Sequence, residues 1–591
     1  MTLSNVSTIY KGKGSMQQVI NLRGIFKLPI IRNILDRLVY FEEQEQICYS
    51  MGPFQVGNQK KRNIRDNSLV LHAVVNEAIA NKTAVDIQFT DIKQCFDSIW
   101  LEEATNDLFD SGVTTRNLNI WYEGNRKTEM CIETRVGRSD CVELNQIVMQ
   151  GSVPGGFICS NQLSKLCNKL YKEGNVYMYR NKVPVPALAM VDDIASIAVC
   201  NSTEALTCNI KTDSFIQRKK LEGQVGDGKC QWVHAGPGTC RSTYYTDGKP
   251  ISQAAAYKYL GDFVSNGWKA LYTKRWEKAQ GYSATCQAMC SEMSLGFQVY
   301  QIAKLLHLSI FVNGTLLNTE TWPNFTEERI KALERTEQTF FRKILQAHSK
   351  TPIEAIYLEL GVIPLRFHLM KRRIMYYVEV MGRNDNEITK QVVLAQMECC
   401  YEGDFYAQVE QDIDVLQLSN SDLVQEKETL RKHLSKIVEQ YAFQELMRKA
   451  TTHSKVHHEI YRNIDGAPHY NNPLFTPDLV NLLFKFRTRT YMVKNNFRNN
   501  YRNTNTLCPL CQEQEDSQGH LFECRKIKDL YHKQVQCSID DIYSSDEDVL
   551  YQTACTLKEL VTIRDLILNN DSSESKKSSN KSEALQESGK E

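Results

Sequence analysis

Three aspartates lie at the ends of short apolar runs, where carboxylates can meet. Asp91 ends one run, and Asp192 and Asp193 lie between two others, Ala187–Val191 and Ile194–Val199. This pattern predicts a hairpin that presents adjacent acids, because charges beside a buried sheet are costly unless they are paired or bind a metal. Mg²⁺ prefers such oxygen ligands, and two ions about 3.5–4 Å apart assist in-line displacement at phosphorus. The acids predict nucleotidyl-transfer chemistry; solvated surface turns are the simpler alternative.

Three further segments accompany the acids in a fixed order. The glycine-rich stretch Gln150–Gly156 precedes a predicted helix at Phe157–Tyr171, and glycine lets backbone approach a ligand closely. After the acids come Gly226–Gln231, with the sequence GDGKCQ, and Tyr257–Asp262, with the sequence YKYLGD. Each segment is weak by itself, and the ordered set is specific.

In this order the segments resemble the reverse transcriptase region of non-LTR (LINE-type) retrotransposons, over residues 8 to 265. Upstream, Ile9–Gly14 and Asn21–Ile25 look like the fingers of that family. Gln55–Gly57 followed by Lys60–Asp66 looks like its basic template-side loop. The resemblance implies an α+β right-hand polymerase of fingers, palm and thumb, followed by a mostly helical C-terminal region. It also implies an RNA-directed DNA polymerase that adds dNTPs to a DNA primer or target on an RNA template.

The resemblance assigns the catalytic roles residue by residue. Asp91 and Asp192 would bind two Mg²⁺ ions, with Mn²⁺ as an alternative ion, and Asp193 would support or share that role. Lys229 would be a general acid for the departing pyrophosphate, which requires a proton within hydrogen-bond reach. A solvated loop lysine is the alternative for this residue.

The resemblance also predicts the residues that contact the nucleotide, template and primer. Phe96 would close the sugar pocket and collide with a ribose 2′-hydroxyl, the alternative being an ordinary core phenylalanine. The triphosphate, template and incoming base would be contacted by Arg23, Lys60, Lys61, Arg62, Gln150 and Gly151, and the primer grip would be Tyr259, Leu260 and Gly261. A cationic loop with no specific partner is the alternative for the three residues from Lys60 to Arg62.

A second constellation lies near the C-terminus. Cys508, Cys511, His520 and Cys524 have the spacing C-x2-C-x8-H-x3-C. Three thiolates and one imidazole complete a closed tetrahedral Zn²⁺ site, which suits a structural role. The pattern predicts a small CCHC zinc knuckle, similar to the one that follows the polymerase in LINE-type proteins; free thiols are the alternative.

The segment before this motif, Phe484 to Arg502, is cationic and contains no acid. Cations interleaved with aromatic rings are typical of surfaces that bind single-stranded nucleic acid. The predicted contact residues are Arg487, Arg489, Tyr491, Arg498 and Tyr501. The alternative is an amphipathic packing segment with a solvated basic face.

The chain has 591 residues, of which 42% are hydrophobic and 24% are charged. This composition is ordinary for globular proteins. The formal net charge of +1 decides nothing about nucleic acid, and no apolar run is long enough to span a membrane. Nineteen cysteines, an odd number spread over a long chain, favour an intracellular, reducing compartment. The predicted domains are fingers and palm (1–265), a helical thumb (266–350), a helical connection (351–480), the basic segment with the knuckle (481–535), a short helical end (536–570) and a disordered tail (571–591).

Several positions depart from the family pattern. Met190 stands where an aromatic residue is common, Gly156 where proline is frequent and Asn58 where arginine is expected. The chain begins inside the fingers, so the upstream endonuclease domain of many such proteins is expected to be missing. The competing hypothesis is therefore an inactive or truncated relic that binds nucleic acid, and a third reading, an RNA-templated RNA polymerase, is disfavoured by Phe96.

Overall fold

The structure is a computed structural model that describes residues 3–587, apart from positions 13, 19–20, 127, 135–136, 145–151, 175, 293–297, 454, 462–465, 502–504 and 532–533. Its chain contacts divide it into two compact units that interleave along the sequence. The first unit comprises Met1–Lys274, Leu317–Phe325 and Arg373–Val415, and the second comprises Arg275–Leu316, Thr326–Arg372 and Leu416–Glu591. The predicted domain boundaries remain predictions. Among the described helices, none combines the length and the apolar character needed to cross a bilayer.

The strands of the described chain all lie in the first unit. They are β1 Leu3–Tyr10, β2 Leu22–Lys27, β3 Val85–Thr90, β4 Thr128–Thr134, β5 Gly137–Arg138, β6 Val142–Leu144, β7 Tyr177–Tyr179, β8 Val183–Val185, β9 Ala187–Met190, β10 Asp193–Val199, β11 Gln231–Ala235, β12 Tyr245–Thr246, β13 Lys249–Pro250, β14 Ser252–Gln253, β15 Ala256–Tyr259 and β16 Asp262–Ser265. Helices of this unit are α1 Ile30–Met51, α2 Ile64–Ala80, α3 Cys95–Ser98, α4 Leu101–Asp110, α5 Thr115–Asn125, α6 Gly155–Lys172, α7 Thr203–Arg218, α14 Ile388–Glu398 and α15 Phe405–Val415.

The second unit is helical where it is described. Its helices are α9 Val299–Leu306, α10 Asn313–Thr315, α11 Glu327–Ile344, α12 Ile353–Leu360, α16 Asn420–Leu423, α17 Lys427–Ala450, α18 Pro477–Arg487, α19 His520–Glu523, α20 Arg525–Lys528 and α21 Glu547–Glu587, while α8 Lys269–Glu292 and α13 Leu365–Met381 run through the boundaries between the units. Helix α21 continues into the stretch from 571 for which the polar composition predicts a disordered tail. The mixture of helix and sheet agrees with the predicted α+β class.

Two five-stranded sheets organise the first unit. One has the order β2-β1-β4-β5 with β6 also on β4, and the other has the order β14-β11-β3-β10-β9. The second sheet carries the predicted site. Its central strand β3 has the sequence VDIQFT, in which Val85, Ile87 and Phe89 favour strand, and every residue of it is buried.

Helix α2 packs behind this sheet and begins with strong local signals. Asn63 accepts a hydrogen bond from the Arg65 amide, and Asp66 accepts one from the Asn63 amide, which completes a capping box. The helix that follows is almost wholly buried from Asp66 to Ala78. This burial, together with that of α6, supports the sheet from which the acids project.

Candidate active site

The adjacent acids lie in the tight turn that joins β9 to β10, as the sequence predicts. Asp193 pairs with Met190, so that Val191 and Asp192 form a two-residue connection. Val191 has a φ of 59°, in the left-handed region that a β-branched residue rarely adopts. Surrounding contacts must therefore hold this turn in place.

Gln55 supplies those contacts from the buried interior. Its Oε1 accepts hydrogen bonds from the amides of Val191 (2.9 Å) and Gly57 (2.8 Å), and its Nε2 donates to the Val191 carbonyl (3.1 Å). A Cβ atom at Gly57 would lie 2.6 Å from the Val191 nitrogen, so glycine is required for this close approach. Sequence reasoning placed Gln55 and Gly57 beside the template loop. The structure instead makes Gln55 a positioning residue for the acidic turn.

Asp91 comes to the same edge of the sheet from the neighbouring strand. The antiparallel register pairs Ile194 with Thr90, so the next step along both strands places Asp193 beside Asp91. Adjacent strands lie about 5 Å apart, which brings these side chains into the same region. The sequence prediction that the three acids gather at one edge agrees with this register.

The loop between α7 and β11 holds Asp91 in place. Its Gln224 amide donates to the Asp91 carbonyl (2.9 Å), and the Lys229 ammonium lies 2.9 Å from Asp91 Oδ2. A turn closed by the Lys229 amide and the Gly226 carbonyl (3.1 Å) presents this lysine. Lys229 is close to half exposed, so it is both paired with the Asp91 carboxylate and accessible.

The electrostatics of the turn reflect three acids close together. Asp193 reaches solvent, yet loss of hydration to the surrounding protein, and then the Asp192 and Asp91 carboxylates, raise its pKa to about 6. Partial burial also raises the pKa of Asp192; Asp91 raises it further, while Arg23 and Lys229 oppose the rise. The charged forms of Asp192 and Asp193 are therefore disfavoured, and a bound cation would stabilise them. Two other clusters of the described chain have all their ligand atoms within 4.8 Å of one another, and the carboxylate oxygens of these three acids are more widely spaced.

The predicted primer grip packs against the back of this turn. Leu260 and Gly261 have φ values of 48° and 93° and connect β15 to β16 in a two-residue hairpin. The Tyr259 ring is buried, and its hydroxyl lies 3.4 Å from the Asp193 carbonyl and 3.3 Å from the Leu188 carbonyl. Tyr259 thus braces the acidic hairpin from the interior, while the turn itself remains partly accessible.

The residues predicted to meet the nucleotide fall into different environments. Arg23, Lys60 and Lys61 are exposed, and Phe96 is half-buried against the core of the first unit. Arg62 donates to the Gly52 carbonyl (2.9 Å) and lies 3.5 Å from Glu387, so it is engaged within the fold. Gln150 and Gly151 lie outside the described residues.

Two of the departures from the family pattern meet in space. A Cβ atom at Gly156 would lie 3.1 Å from Asn58 Nδ2, and Asn58 donates to the Ser160 hydroxyl (2.9 Å). A larger residue at either position would crowd the other. Asn58 and Gly156 thus form a matched pair at the start of α6.

The C-terminal cysteines and histidine come together as predicted. The ligand atoms of Cys508, Cys511, His520 and Cys524 all lie within 4.8 Å of one another, with Cys511 Sγ 3.3 Å from His520 Nε2. His520 Nδ1 lies 2.8 Å from Gln514 Oε1, which leaves Nε2 facing the sulfur atoms. Such a partner for the second ring nitrogen is usual for a histidine that binds a metal. The donor set therefore fits Zn²⁺.

A buried ion pair attaches this cluster to α21. Asp516 lies within the motif and is almost fully buried, and both of its carboxylate oxygens meet the Arg564 guanidinium, at 2.8 and 3.1 Å. Asp516 also accepts a hydrogen bond from the Lys494 amide (2.9 Å). The motif is thus part of the packed second unit.

The prediction of a nucleic-acid surface at Phe484–Arg502 is wrong for Arg487. That side chain is 6% exposed, and its Nε lies 2.9 Å from Glu359 Oε1 in the interior of the second unit. Phe484 and Phe486 are fully buried, and Tyr491 stacks on Phe486 with ring centroids 4.5 Å apart. The helical period of α18 turns these residues inward, so the packing alternative holds there.

Two other arginines of this segment are exposed, unlike Arg487. Arg489 is exposed and contacts His457, and Arg498 is exposed and paired with Glu515 at 2.9 Å. The side chain of Tyr501 and the whole of Arg502 lie outside the described residues. A contact with nucleic acid at these positions remains a prediction.

Part of the chain matches a known protein family. Residues 26–262 match the family model described as reverse transcriptase (RNA-dependent DNA polymerase). A search of curated proteins returns no match. The matched range contains all three acids of the hairpin edge, Lys229 and Gln55.

Similar solved structures include telomerases from two yeasts. Apo telomerase from Candida tropicalis truncated from its C-terminal domain has 12% identity and a TM-score of 0.29 over 45% of this chain and 53% of that one. Telomerase from Candida albicans in complex with a TWJ fragment of telomeric RNA has 12% identity and a TM-score of 0.33, over 71% of this chain and 65% of that one. Apo telomerase from Candida tropicalis has 12% identity and a TM-score of 0.34, over 73% of this chain and 68% of that one.

The chain spans about half the length of the first of these structures. At such scores the likeness to these structures carries no argument about function. Residues 26–262 are similar to reverse transcriptases, and this range contains the three acids at the edge of the sheet.

Proposed function

We propose that this protein copies RNA into DNA by extending a primer with dNTPs, as LINE-type retrotransposon enzymes do. The single observation that carries the proposal is the meeting of Asp91, Asp192 and Asp193 at one edge of the sheet. Their pairing across adjacent strands and the raised pKa values of Asp192 and Asp193 support a shared cation site. An RNA template, a DNA primer or target and an intracellular setting belong to the same proposal.

The carboxylates would hold two Mg²⁺ ions, or Mn²⁺, which would activate the attacking hydroxyl and stabilise the leaving pyrophosphate. Asp91 and Asp192 are the proposed ligands, and Asp193 supports or shares their role. Gln55 keeps the turn in its strained conformation, and Tyr259 braces it from behind. Lys229 Nζ lies 2.9 Å from Asp91 Oδ2 and is the proposed proton donor to the pyrophosphate.

Extension of a labelled primer on an RNA template, with dNTPs and Mg²⁺, tests the proposal. Asp192→Ala is expected to lower the rate by about three orders of magnitude, because metal-ion stabilisation is worth several kcal/mol and each 1.36 kcal/mol is tenfold. Asp385→Asn, at an acid whose side chain is 86% exposed, is the matched control and should retain full activity. Wild-type protein that extends no primer with either metal would overturn the proposal.

The choice of sugar separates DNA synthesis from RNA synthesis. Phe96 follows the first acid by five residues and is half-buried, and a bulky ring at this position supports a role as a steric barrier to the 2′-hydroxyl. Phe96→Ala should raise ribonucleotide incorporation relative to deoxynucleotides while leaving primer extension measurable. Equal use of both sugars by the wild-type enzyme would instead favour an RNA polymerase.

The competing proposal, a relic that binds nucleic acid without chemistry, loses one of its supports. It relied partly on the cationic segment before the cysteine motif, and Arg487 of that segment is engaged with Glu359. Binding that is sensitive to salt and indifferent to Asp91→Asn and Asp192→Asn, without any extension, would favour the relic.

We also propose that Cys508, Cys511, His520 and Cys524 bind a structural Zn²⁺ ion. The four ligand atoms lie within 4.8 Å of one another, and three are largely buried. Purified protein should contain zinc that Cys511→Ser lowers by one equivalent, as measured by elemental mass spectrometry. An unchanged zinc content in this variant would exclude the site.

A further inference from the structure

A second cluster of metal-binding side chains lies in the sheet of the first unit, away from the catalytic acids. Asp86 is the second residue of β3 and is fully buried, and His234 of β11 lies directly opposite it in the strand register. Cys200 follows the end of β10 on the other side of β3, where its amide donates to the Ala84 carbonyl (2.9 Å). Three adjacent strands thus bring an oxygen, a nitrogen and a sulfur ligand together.

The distances are those expected around one ion. The ligand atoms of Asp86, Cys200 and His234 all lie within 4.8 Å of one another. His234 Nδ1 lies 3.0 Å from Asp86 Oδ1, and Cys240 Sγ lies 3.0 Å from Asp86 Oδ2. A tetrahedral Zn²⁺ with bonds of about 2.0–2.3 Å separates its ligand atoms by roughly 3.3–3.8 Å. Small adjustments would therefore suffice to enclose an ion.

The buried Asp86 carboxylate also favours a bound cation. Asp86 has no exposed surface, and its partners include His234, Cys240 and the Tyr244 hydroxyl, which donates at 2.6 Å. Among the described residues, no lysine or arginine forms an ion pair with it. His234 is 6% exposed, and its Nε2 has no hydrogen-bond partner in the described chain. A buried carboxylate without a cationic partner is costly.

We propose that Asp86, Cys200, His234 and Cys240 bind a structural Zn²⁺ ion. Two thiolates with one imidazole and one carboxylate are soft and borderline ligands that select Zn²⁺ over Mg²⁺. Binding releases the two thiol protons to solvent, and the Tyr244 hydroxyl orients the carboxylate from outside the ligand set. Cys240 also packs against an apolar cluster that includes Trp232 and Ile251.

The site is separate from the catalytic edge. Asp86 and Asp91 lie near opposite ends of β3, five residues apart, which corresponds to about 16 Å along a strand. The ion would join the ends of β10 and β11 and the loop that carries Cys240. Its role is therefore structural, and the inference does not depend on polymerase activity.

The metal content of the full-length protein tests the site. Protein purified in reductant without chelator should contain two zinc ions per chain by elemental mass spectrometry. The Cys200→Ser/Cys240→Ser double variant and the Cys511→Ser variant should each lose one equivalent, and the triple variant should lose both. Cys399→Ser, at an exposed cysteine, is the matched control and should keep both. A zinc content that is unchanged in the Cys200→Ser/Cys240→Ser variant would overturn the inference.

A second measurement uses the wild-type chain, in case the double variant does not fold. Zinc should protect Cys200 and Cys240 from alkylation at least tenfold, while Cys399 is alkylated at the same rate with and without the metal. Peptide mass spectrometry reads each cysteine separately. Equal labelling of Cys200 and Cys240 with and without zinc, or a disulfide between them in the purified protein, would overturn the site.

Discussion

Asp192 and Asp193 in the β9–β10 turn and Arg487 in α18 are all charged side chains beside an apolar interior. Arg487 meets Glu359 within 2.9 Å and is 6% exposed, so its charge is neutralised inside the second unit. The two aspartates lie near a third acid, keep contact with solvent, and have raised pKa values. Charge that is paired inside a fold supports structure, whereas like charges gathered at an accessible edge indicate a ligand.

The same comparison applies to backbone conformation. The acidic turn places Val191 in the left-handed region and depends on Gln55 to hold it. Helix α18, by contrast, buries its apolar face in regular helical geometry from Pro477 to Arg487. Strain that neighbouring groups enforce is typical of functional sites.

The largest expected effect is the loss of the interior ion pair. Arg487→Met should lower the free energy of unfolding by about 3–5 kcal/mol, because it leaves the Glu359 carboxylate buried and unpaired. Arg498→Met, which removes an exposed pair with Glu515, should cost less than about 1 kcal/mol. Denaturant unfolding measures both. If Arg487→Met left stability unchanged and reduced the salt dependence of RNA binding, its structural role would be excluded.

The next effect concerns the support of the acidic turn. Gln55→Ala leaves the Val191 amide and carbonyl without partners and should lower kcat for primer extension about 10- to 100-fold, in line with ~1–3 kcal/mol for buried unpaired groups. Gln59→Ala, an amide of the same loop that bonds the Gln55 carbonyl and not the turn, is the control. Single-turnover extension separates this effect from dNTP binding. Equal losses in the two variants would remove the distinction between them.

The smallest effect is a pH dependence. Because the pKa of Asp193 is raised to about 6, extension at limiting Mg²⁺ should fall about tenfold for each pH unit well below this value, as the carboxylate gains a proton. The contribution of Asp193 to stability has the opposite pH dependence, because the folded state binds its proton more tightly than the unfolded state does. This contribution is fully present below about pH 4 and is lost as the pH rises through about 6.

Asp193→Asn provides the control for this titration. The variant should have lower activity at pH 7 and a flatter pH profile between about 5 and 7. Rates measured with saturating dNTP at several Mg²⁺ concentrations give both profiles. An unchanged profile in Asp193→Asn would assign the titration to another group.

Patterns that depend on neighbours in sequence were predictable. The apolar runs around Asp91, Asp192 and Asp193 predict the strands and the turn, and the spacing of Cys508, Cys511, His520 and Cys524 predicts their cluster. The roles of Gln55 and Arg487 were not predictable in this way. A buried amide and a buried guanidinium are recognised by partners 136 and 128 positions away, Val191 and Glu359.

The amino-acid sequence alone indicated the three acids, the Cys508–Cys524 motif and where short strands and helices form, because each depends on spacing along a few turns or one hairpin. Tertiary structure decided which charges are paired and which remain accessible. It also joined Asp86, Cys200, His234 and Cys240, which no short motif connects. The physical reason is that burial and pairing are set by contacts between distant segments, and local sequence does not encode the identity of those partners.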